Sequence, residues 1–85
     1  MINYSIKAVY HSDYANENVS LIYSLPSEII EMTVDNRKVK PSTSYTFRKI
    51  GYHTVYFLFD LSKTKSLSYM FYSIDKLSGI FYSSF

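Results

Sequence analysis

The 85-residue chain contains no cysteine, only two glycines and only two prolines. Without cysteine it has neither disulfides, which small secreted domains often need, nor thiol chemistry. Residues 1–10 carry a charge at Lys7 and no apolar stretch of the signal-peptide kind. No segment approaches the roughly 18 apolar residues of a membrane span. We therefore expect no membrane span and, by default, a cytoplasmic protein, or else a module supported by neighbouring structure.

The residues that catalysis and metal binding require are also scarce. His11 and His53 are the only imidazoles, and neither has a second histidine or a cysteine at a metal-ligand spacing. His53 is better explained as a hydrogen-bonded structural residue. The seven carboxylates are expected to be solvated, and Glu28 and Glu31 would point to opposite faces of a strand. With no phosphate-binding loop or nucleophile elbow either, we expect no enzymatic activity, no cofactor and no metal.

What the chain does contain is aromatic residues, which make up 19% of it and include ten tyrosines. Tyrosine favours strands and contact surfaces because its ring has a large apolar face and a polar tip. The hydrophobic share of 47% is typical of a globular protein, and the length allows one domain. A net charge of +2 is too small to indicate a nucleic-acid partner by itself.

Alternation of apolar and polar residues predicts a mainly β fold, with five to six antiparallel strands in a small sheet or sandwich. The predicted strands are Ile2–Tyr10, Val19–Tyr23, 29–34, a short strand from Val39, Ser44–Lys49 and His53–Asp60. Asp35 and Asn36 tolerate the left-handed conformations of a tight hairpin turn, and Gly51 indicates another turn or a bulge. The strand His53–Asp60 is apolar on both faces, so we expect it to be central and covered on both sides.

The last 25 residues have a different pattern. Apolar residues recur there at helical spacings of three and four, at Leu67, Met70, Phe71 and Ile74. The pattern predicts a short helix with Ser66 as its N-cap, followed after Gly79 by a short extended segment. We therefore expect a β-rich domain over residues 1–60 and a helix–strand unit over residues 61–85 that packs on it as a single folding unit.

The segment from Ser66 to Phe85 resembles one leucine-rich repeat of the BspA-like kind. Such repeats carry a Met-Phe pair, here Met70-Phe71, and a strand whose apolar positions would be Leu77, Ile80 and Tyr82, with Phe85 at the following corner. Tyr82 departs from the usual Leu or Phe, and Asp75-Lys76 replaces small polar residues. Residues 35–57 resemble the β-rich region ahead of the repeats. A single repeat cannot bury its own apolar face, so it needs the β-rich part, or further repeats, as a partner.

The resemblance implies a non-catalytic protein–protein interaction or scaffolding module, the N-terminal cap of a leucine-rich-repeat surface or adhesion protein. The terminal strand would end the sheet with unpaired backbone groups, which recruit a protein partner or a second copy of the chain. The expected interaction residues are Leu77, Ile80, Phe81, Tyr82 and Phe85. An alternative is a purely structural cap.

A second alternative is a small single-stranded nucleic-acid-binding β domain. Its residues would be Lys38, Tyr45, Phe47 and Arg48, because aromatic rings stack on bases while neighbouring charges contact phosphates. The competing interpretation, which the low net charge favours, places Tyr45 and Phe47 in the core and uses the charges to protect a sheet edge.

Overall fold

The computed structural model describes residues 3–23, 29–60 and 71–84, and within these ranges the chain is built of antiparallel strands. The strands are β1 (Asn3–Ser12), β2 (Glu17–Ser20), β3 (Ile29–Val34), β4 (Arg37–Val39), β5 (Ser44–Phe47), β6 (Gly51–Asp60) and β7 (Leu77–Ser84). The predicted mainly β class is therefore confirmed. No described segment forms a helix of the length and hydrophobicity that a bilayer crossing needs.

The strands form one large sheet and one small sheet. The large sheet has the order β4-β3-β6-β1-β7, and β2 pairs with β5 in the small one. β6 is the middle strand of the large sheet, as its apolar sequence predicts, and pairs with β1 from Asn3↔Asp60 to Ser12↔Gly51. The two strands are ten residues each, so they form the longest ladder of the sheet.

The core lies on one face of the large sheet, where alternate residues of β1, β3 and β6 are buried. Ile6 lies opposite Phe57, and Ala8 lies opposite Val55, with all four side chains inaccessible to solvent. The small sheet and the segment that follows β2 complete this core. Their contribution is Val19, Leu21, Ile22 and Phe47. The described strands therefore form two layers around one apolar cluster.

The other face of the large sheet is the outer face, and here one prediction is wrong. β6 was expected to be covered on both sides, but Tyr52 is 76% exposed and Tyr56 is also exposed. Thr54 and Leu58, on the same face, are half-buried. Tyrosine ends in a hydroxyl that solvent hydrates, so an aromatic outer face does not need a second layer.

The hairpin between β3 and β4 matches the predicted turn. Asp35 and Asn36 form a two-residue loop with φ angles of 47° and 68°, and Val34 lies opposite Arg37. Positive φ at both loop residues is the geometry whose twist suits adjacent antiparallel strands. Asx residues tolerate that geometry better than other residues with a Cβ, which is why the sequence predicts the turn so well.

The predicted helix is not found in the described residues. Ser66, Leu67 and Met70 lie outside them, whereas Phe71 and Ile74 are described: Phe71 lies in a turn, and Ile74 lies between two turns. Ser73 has a φ of 58°, which is incompatible with a right-handed helix. Phe71 and Ile74 nevertheless pack against the core while partly buried, so their apolar character reflects core contact rather than a helix. The predicted domain boundary at residues 60 and 61 stays a prediction.

Candidate functional site

The C-terminal strand forms one edge of the large sheet. β7 pairs with β1 from Tyr4↔Ser84 to Tyr10↔Leu77, and no other described strand pairs with its second side. Ser78 is an extra residue in this ladder, because Val9 and Tyr10 lie opposite Gly79 and Leu77. This is the edge at which the sequence predicts a terminal strand.

The side chains of β7 divide into core contacts and an exposed ring. Leu77 and Ile80 are half-buried and pack against the core, whereas Phe81 is 58% exposed. The Phe81 ring lies beside Gly79 and beneath Lys7, whose Nζ is 5.4 Å from the ring centroid. Among the expected interaction residues whose side chains are described, Phe81 is thus the exposed one. The side chains of Tyr82 and Phe85 lie outside the described residues.

The two edges of the large sheet differ in how they are protected. β4, at the far edge, has three residues, of which Arg37 and Lys38 are exposed, and Pro41 follows shortly after it. Short length, charge and proline are the means by which proteins prevent an edge from pairing. β7 has eight residues with no charge and no proline, and the bulge at Ser78 is its one protective feature. β7 is therefore the edge on which pairing is least hindered.

The residues of the nucleic-acid alternative lie on β4, on β5 and in the loop that follows β5. Phe47 is buried and stacks on His53, with ring centroids 4.1 Å apart and an interplanar angle of 12°. Its faces are not free for a base, so Phe47 belongs to the core, as the competing interpretation had it. Tyr45 is half-buried, Arg48 is exposed, and Lys38 pairs with Glu31 at 2.6 Å.

His53 joins three segments of the chain through hydrogen bonds. Its Nδ1 lies 2.7 Å from Oδ2 of Asp35, and its Nε2 lies 2.9 Å from the carbonyl oxygen of Lys49. The same carbonyl accepts a 2.6 Å hydrogen bond from Ser12 Oγ. Asp35 also accepts from the Thr54 N–H at 2.9 Å, which fixes the hairpin turn to β6.

Ser12, His53 and Asp35 lie next to one another in space and have the residue types of a nucleophilic triad. Their hydrogen bonds, however, do not have the geometry of one. Ser12 is nearly inaccessible to solvent, and its Oγ is 3.4 Å from His53 Nε2. Its hydroxyl donates a hydrogen bond to the carbonyl oxygen of Lys49 instead. A nucleophile needs an exposed hydroxyl whose proton the base accepts. Nothing in the sequence predicted this group, because its members are far apart in the chain.

A second polar cluster connects the β1–β2 turn to the segment before β7. Lys76 Nζ bonds to Asp13 and lies 3.4 Å from Oε2 of Glu17. The hydrogen bond from Lys76 lowers the pKa of Asp13, and the same bond raises the pKa of Lys76. Glu17 is buried and accepts a 2.7 Å bond from the Asp13 N–H, so the prediction that the carboxylates are solvated is wrong for Glu17.

Comparisons with known proteins add no assignment, since no family model, no curated protein and no solved structure matches the chain. The resemblance to BspA-like repeats accordingly stays a prediction. In the described part of the chain, no three histidine or acidic side chains converge in a way that would hold a metal ion.

Proposed function

We propose that this chain is a non-catalytic protein-interaction module that self-associates by pairing β7 with β7 of a second copy. The observation that supports the proposal is the contrast between the two edges. β4 is short and basic, whereas β7 is long and uncharged. An edge of the second kind is a template for strand addition, because its backbone groups gain hydrogen bonds when another strand pairs with it.

The sequence of β7 suits pairing with an identical strand. Two copies arranged around a two-fold axis present the same surface to each other, and Leu77–Ser84 brings no like charges together. Phe81 lies near the middle of the strand, so antiparallel pairing places the two Phe81 rings close together on the outer face. Aromatic cross-strand pairs contribute about 0.2–1 kcal/mol each.

The more specific proposal is that the chain caps a leucine-rich-repeat surface or adhesion protein. It rests on the resemblance of Ser66–Phe85 to one repeat and on the strand at Leu77–Ser84, where the repeat pattern requires one. In such a protein the next repeat would occupy the β7 edge that the second copy occupies in the isolated chain. The interaction surface is the same in both settings.

The test is the solution mass of the chain across a concentration series, measured by light scattering on a sizing column. We expect the mass to rise from monomer towards dimer as concentration increases. The variant Phe81→Glu should raise the dissociation constant about tenfold or more, because it places two carboxylates at the paired edge. The introduced carboxylate has Lys7 as a neighbour within its own copy, so the monomer should stay folded, as circular dichroism would verify.

The matched control is Tyr52→Glu, which adds the same charge at an exposed aromatic of the outer face but on the central strand β6. Edge pairing predicts a wild-type dissociation constant for this variant. Equal weakening by both substitutions would make the outer face the interface and contradict edge pairing. A strict monomer at all concentrations would contradict self-association and favour the structural cap. Ile80→Lys is a poorer test, because Ile80 packs on the core.

A further inference from the structure

A cavity lies at the end of the molecule where the β3–β4 turn, β5 and the start of β6 meet. It has a volume of about 310 Å³ and is partly open to solvent. Asp35 lines it from the turn, Arg37 from β4, Tyr45 from β5, and Arg48, Lys49 and His53 from the loop and strand that follow. Its size is at the lower end of the range for small-molecule sites.

The charges that line this cavity are not balanced within the described residues. Arg37, Arg48 and Lys49 are exposed, and none of the three forms an ion pair with a carboxylate there. The acidic residue that lines the cavity, Asp35, already uses its two oxygens for His53 and the Thr54 N–H. The cavity is therefore lined by three cationic side chains and one carboxylate, so its lining carries a net positive charge.

Lys40, which is exposed and forms no ion pair within the described residues, does not line the cavity, and the three other described cations outside the cavity each have a contact of their own. Lys38 pairs with Glu31, Lys76 bonds to Asp13, and Lys7 lies over the Phe81 ring. Cations without partners that gather around a concave surface focus a positive potential into it. Such a potential attracts anions of a size that the cavity admits.

The backbone that carries the cations is held in place. The Lys49 carbonyl accepts from Ser12 and faces His53 Nε2, and the His53 ring stacks on Phe47. Arg48 and Lys49 consequently project from a loop with a fixed base, and Arg37 follows a turn whose aspartate is tied to β6. Groups held in this way lose less conformational entropy when a ligand binds.

We propose that this cavity is a binding site for a small phosphate-bearing molecule. Arginine presents a planar fork of donors that matches phosphate oxygens, and lysine adds a point charge. The Tyr45 ring, half-buried beside Phe47 at a centroid distance of 5.2 Å, offers an apolar wall for the organic part of the ligand. The lining of the site includes no residue of β7.

The test is a titration of the full chain with inorganic pyrophosphate at low salt, followed by calorimetry and by the backbone amide signals in NMR spectra. We expect saturable binding with shifts centred on Thr46–Lys49 and His53. Arg48→Gln and Arg37→Gln should each weaken binding about tenfold, the effect of losing one good charged contact. Both side chains are exposed, so the variants should fold.

The matched control is Lys40→Gln, which removes the same charge from an exposed residue that does not line the cavity. It should bind pyrophosphate as the wild type does. Equal weakening by all three variants, or shifts spread over the whole surface, would show that pyrophosphate binds only through the overall positive charge of the protein. Either result would overturn the proposal. Citrate binding as tightly as pyrophosphate would overturn the phosphate assignment. Binding of a single-stranded oligonucleotide without binding of pyrophosphate would replace the proposal with the nucleic-acid alternative.

Discussion

The side chain of Tyr10 is fully buried, yet its hydroxyl donates a 2.5 Å hydrogen bond to the carbonyl oxygen of Leu21. Leu21 lies just beyond β2, where its N–H donates to the Thr43 carbonyl at 2.8 Å. A single hydroxyl thus attaches the segment after β2 to β1. A buried carbonyl oxygen that loses its hydrogen-bond donor destabilises the folded state, because no solvent molecule replaces the bond.

Replacing Tyr10 by phenylalanine should therefore lower the free energy of unfolding by about 1–3 kcal/mol, the typical effect of leaving one buried group unsatisfied. Urea denaturation of the wild type and the Tyr10→Phe variant measures this difference. Tyr14→Phe is the matched control, since Tyr14 is 60% exposed and should tolerate the change. Equal stability of the Tyr10→Phe variant and the wild type would show that this hydrogen bond does not hold the segment.

The same residue predicts how stability depends on alkaline pH. Burial raises the pKa of Tyr10 above its ordinary value of 10.0. The folded state favours the neutral phenol. The contribution of Tyr10 to the free energy of unfolding is therefore complete below pH 10 and is lost as the pH rises towards the pKa of the folded state. The loss should approach about 1.4 kcal/mol per pH unit above pH 10. Denaturation at a series of alkaline pH values should show a shallower decline for Tyr10→Phe than for Tyr14→Phe; identical declines would contradict the burial argument.

At the scale of elements, the β3–β4 hairpin depends on the left-handed conformation of its two loop residues. Asn36 has a φ of 68°, which glycine adopts freely and alanine adopts at a cost of about 1 kcal/mol. Asn36→Gly should therefore match or slightly exceed the wild type in thermal stability, whereas Asn36→Ala should fall below it. The opposite order of the two melting temperatures would mean that the Asn36 side chain, rather than its backbone, determines the turn.

The polar cluster of Lys76, Asp13 and Glu17 leads to a prediction about the pKa of one carboxyl group, that of Asp13. Because Lys76 lowers the pKa of Asp13, the pair stabilises the fold above pH 3.8 and loses that effect as pH falls through the lowered pKa. Lys76→Gln should return the pKa of Asp13 towards 3.8 in an NMR titration, with His11 still 3.1 Å from the carboxylate. Lys40→Gln should leave the titration unchanged. If Asp13 kept its wild-type pKa in the Lys76→Gln variant, a group other than Lys76 would be responsible for lowering that pKa.

How far the sequence predicts each element depends on how local its determinants are. The alternation in β1 correctly predicts a half-buried strand, in which Ile6 and Ala8 lie on the buried face, and Asp35-Asn36 correctly predicts the hairpin, because both signals lie within a few residues. The predicted helix relied on apolar spacing across Phe71 and Ile74, which a turn with positive φ at Ser73 satisfies equally well. Apolar spacing reports burial and does not by itself report the backbone conformation.

The candidate sites show the same division. The sequence analysis anticipated a strand within Leu77–Ser84, because its apolar positions lie within a few residues of one another. Tyr45, Phe47 and Arg48, which line the cavity, were expected together at a nucleic-acid site. Their meeting with Asp35 and His53 could not be anticipated, because it requires β3, β5 and β6 to be arranged around the core. Burial of Glu17 was missed for the same reason, since Lys76 lies far along the chain.

At the scale of the whole molecule, the proposed functions lie at separate places on one scaffold. Within the described strands, the large sheet has its inner face filled by the core, a protected edge at β4 and an open edge at β7. The cavity lies beside the β3–β4 turn, so β7 is free to pair without covering it. This arrangement makes the open edge the part of the molecule whose backbone gains most from a second strand.

The proposed pairing of β7 with a second copy of the chain is made by backbone hydrogen bonds, and amide hydrogen exchange measures such bonds at each residue. Exchange is followed residue by residue by NMR at a low and a high concentration of the chain. If β7 pairs with β7 of a second copy, alternate amides of Leu77–Ser84, those facing away from β1, become protected at high concentration. The amides of β4 should exchange at the same rate in both samples. Exchange in β7 that does not depend on concentration, or protection gained at β4 instead, would contradict this pairing.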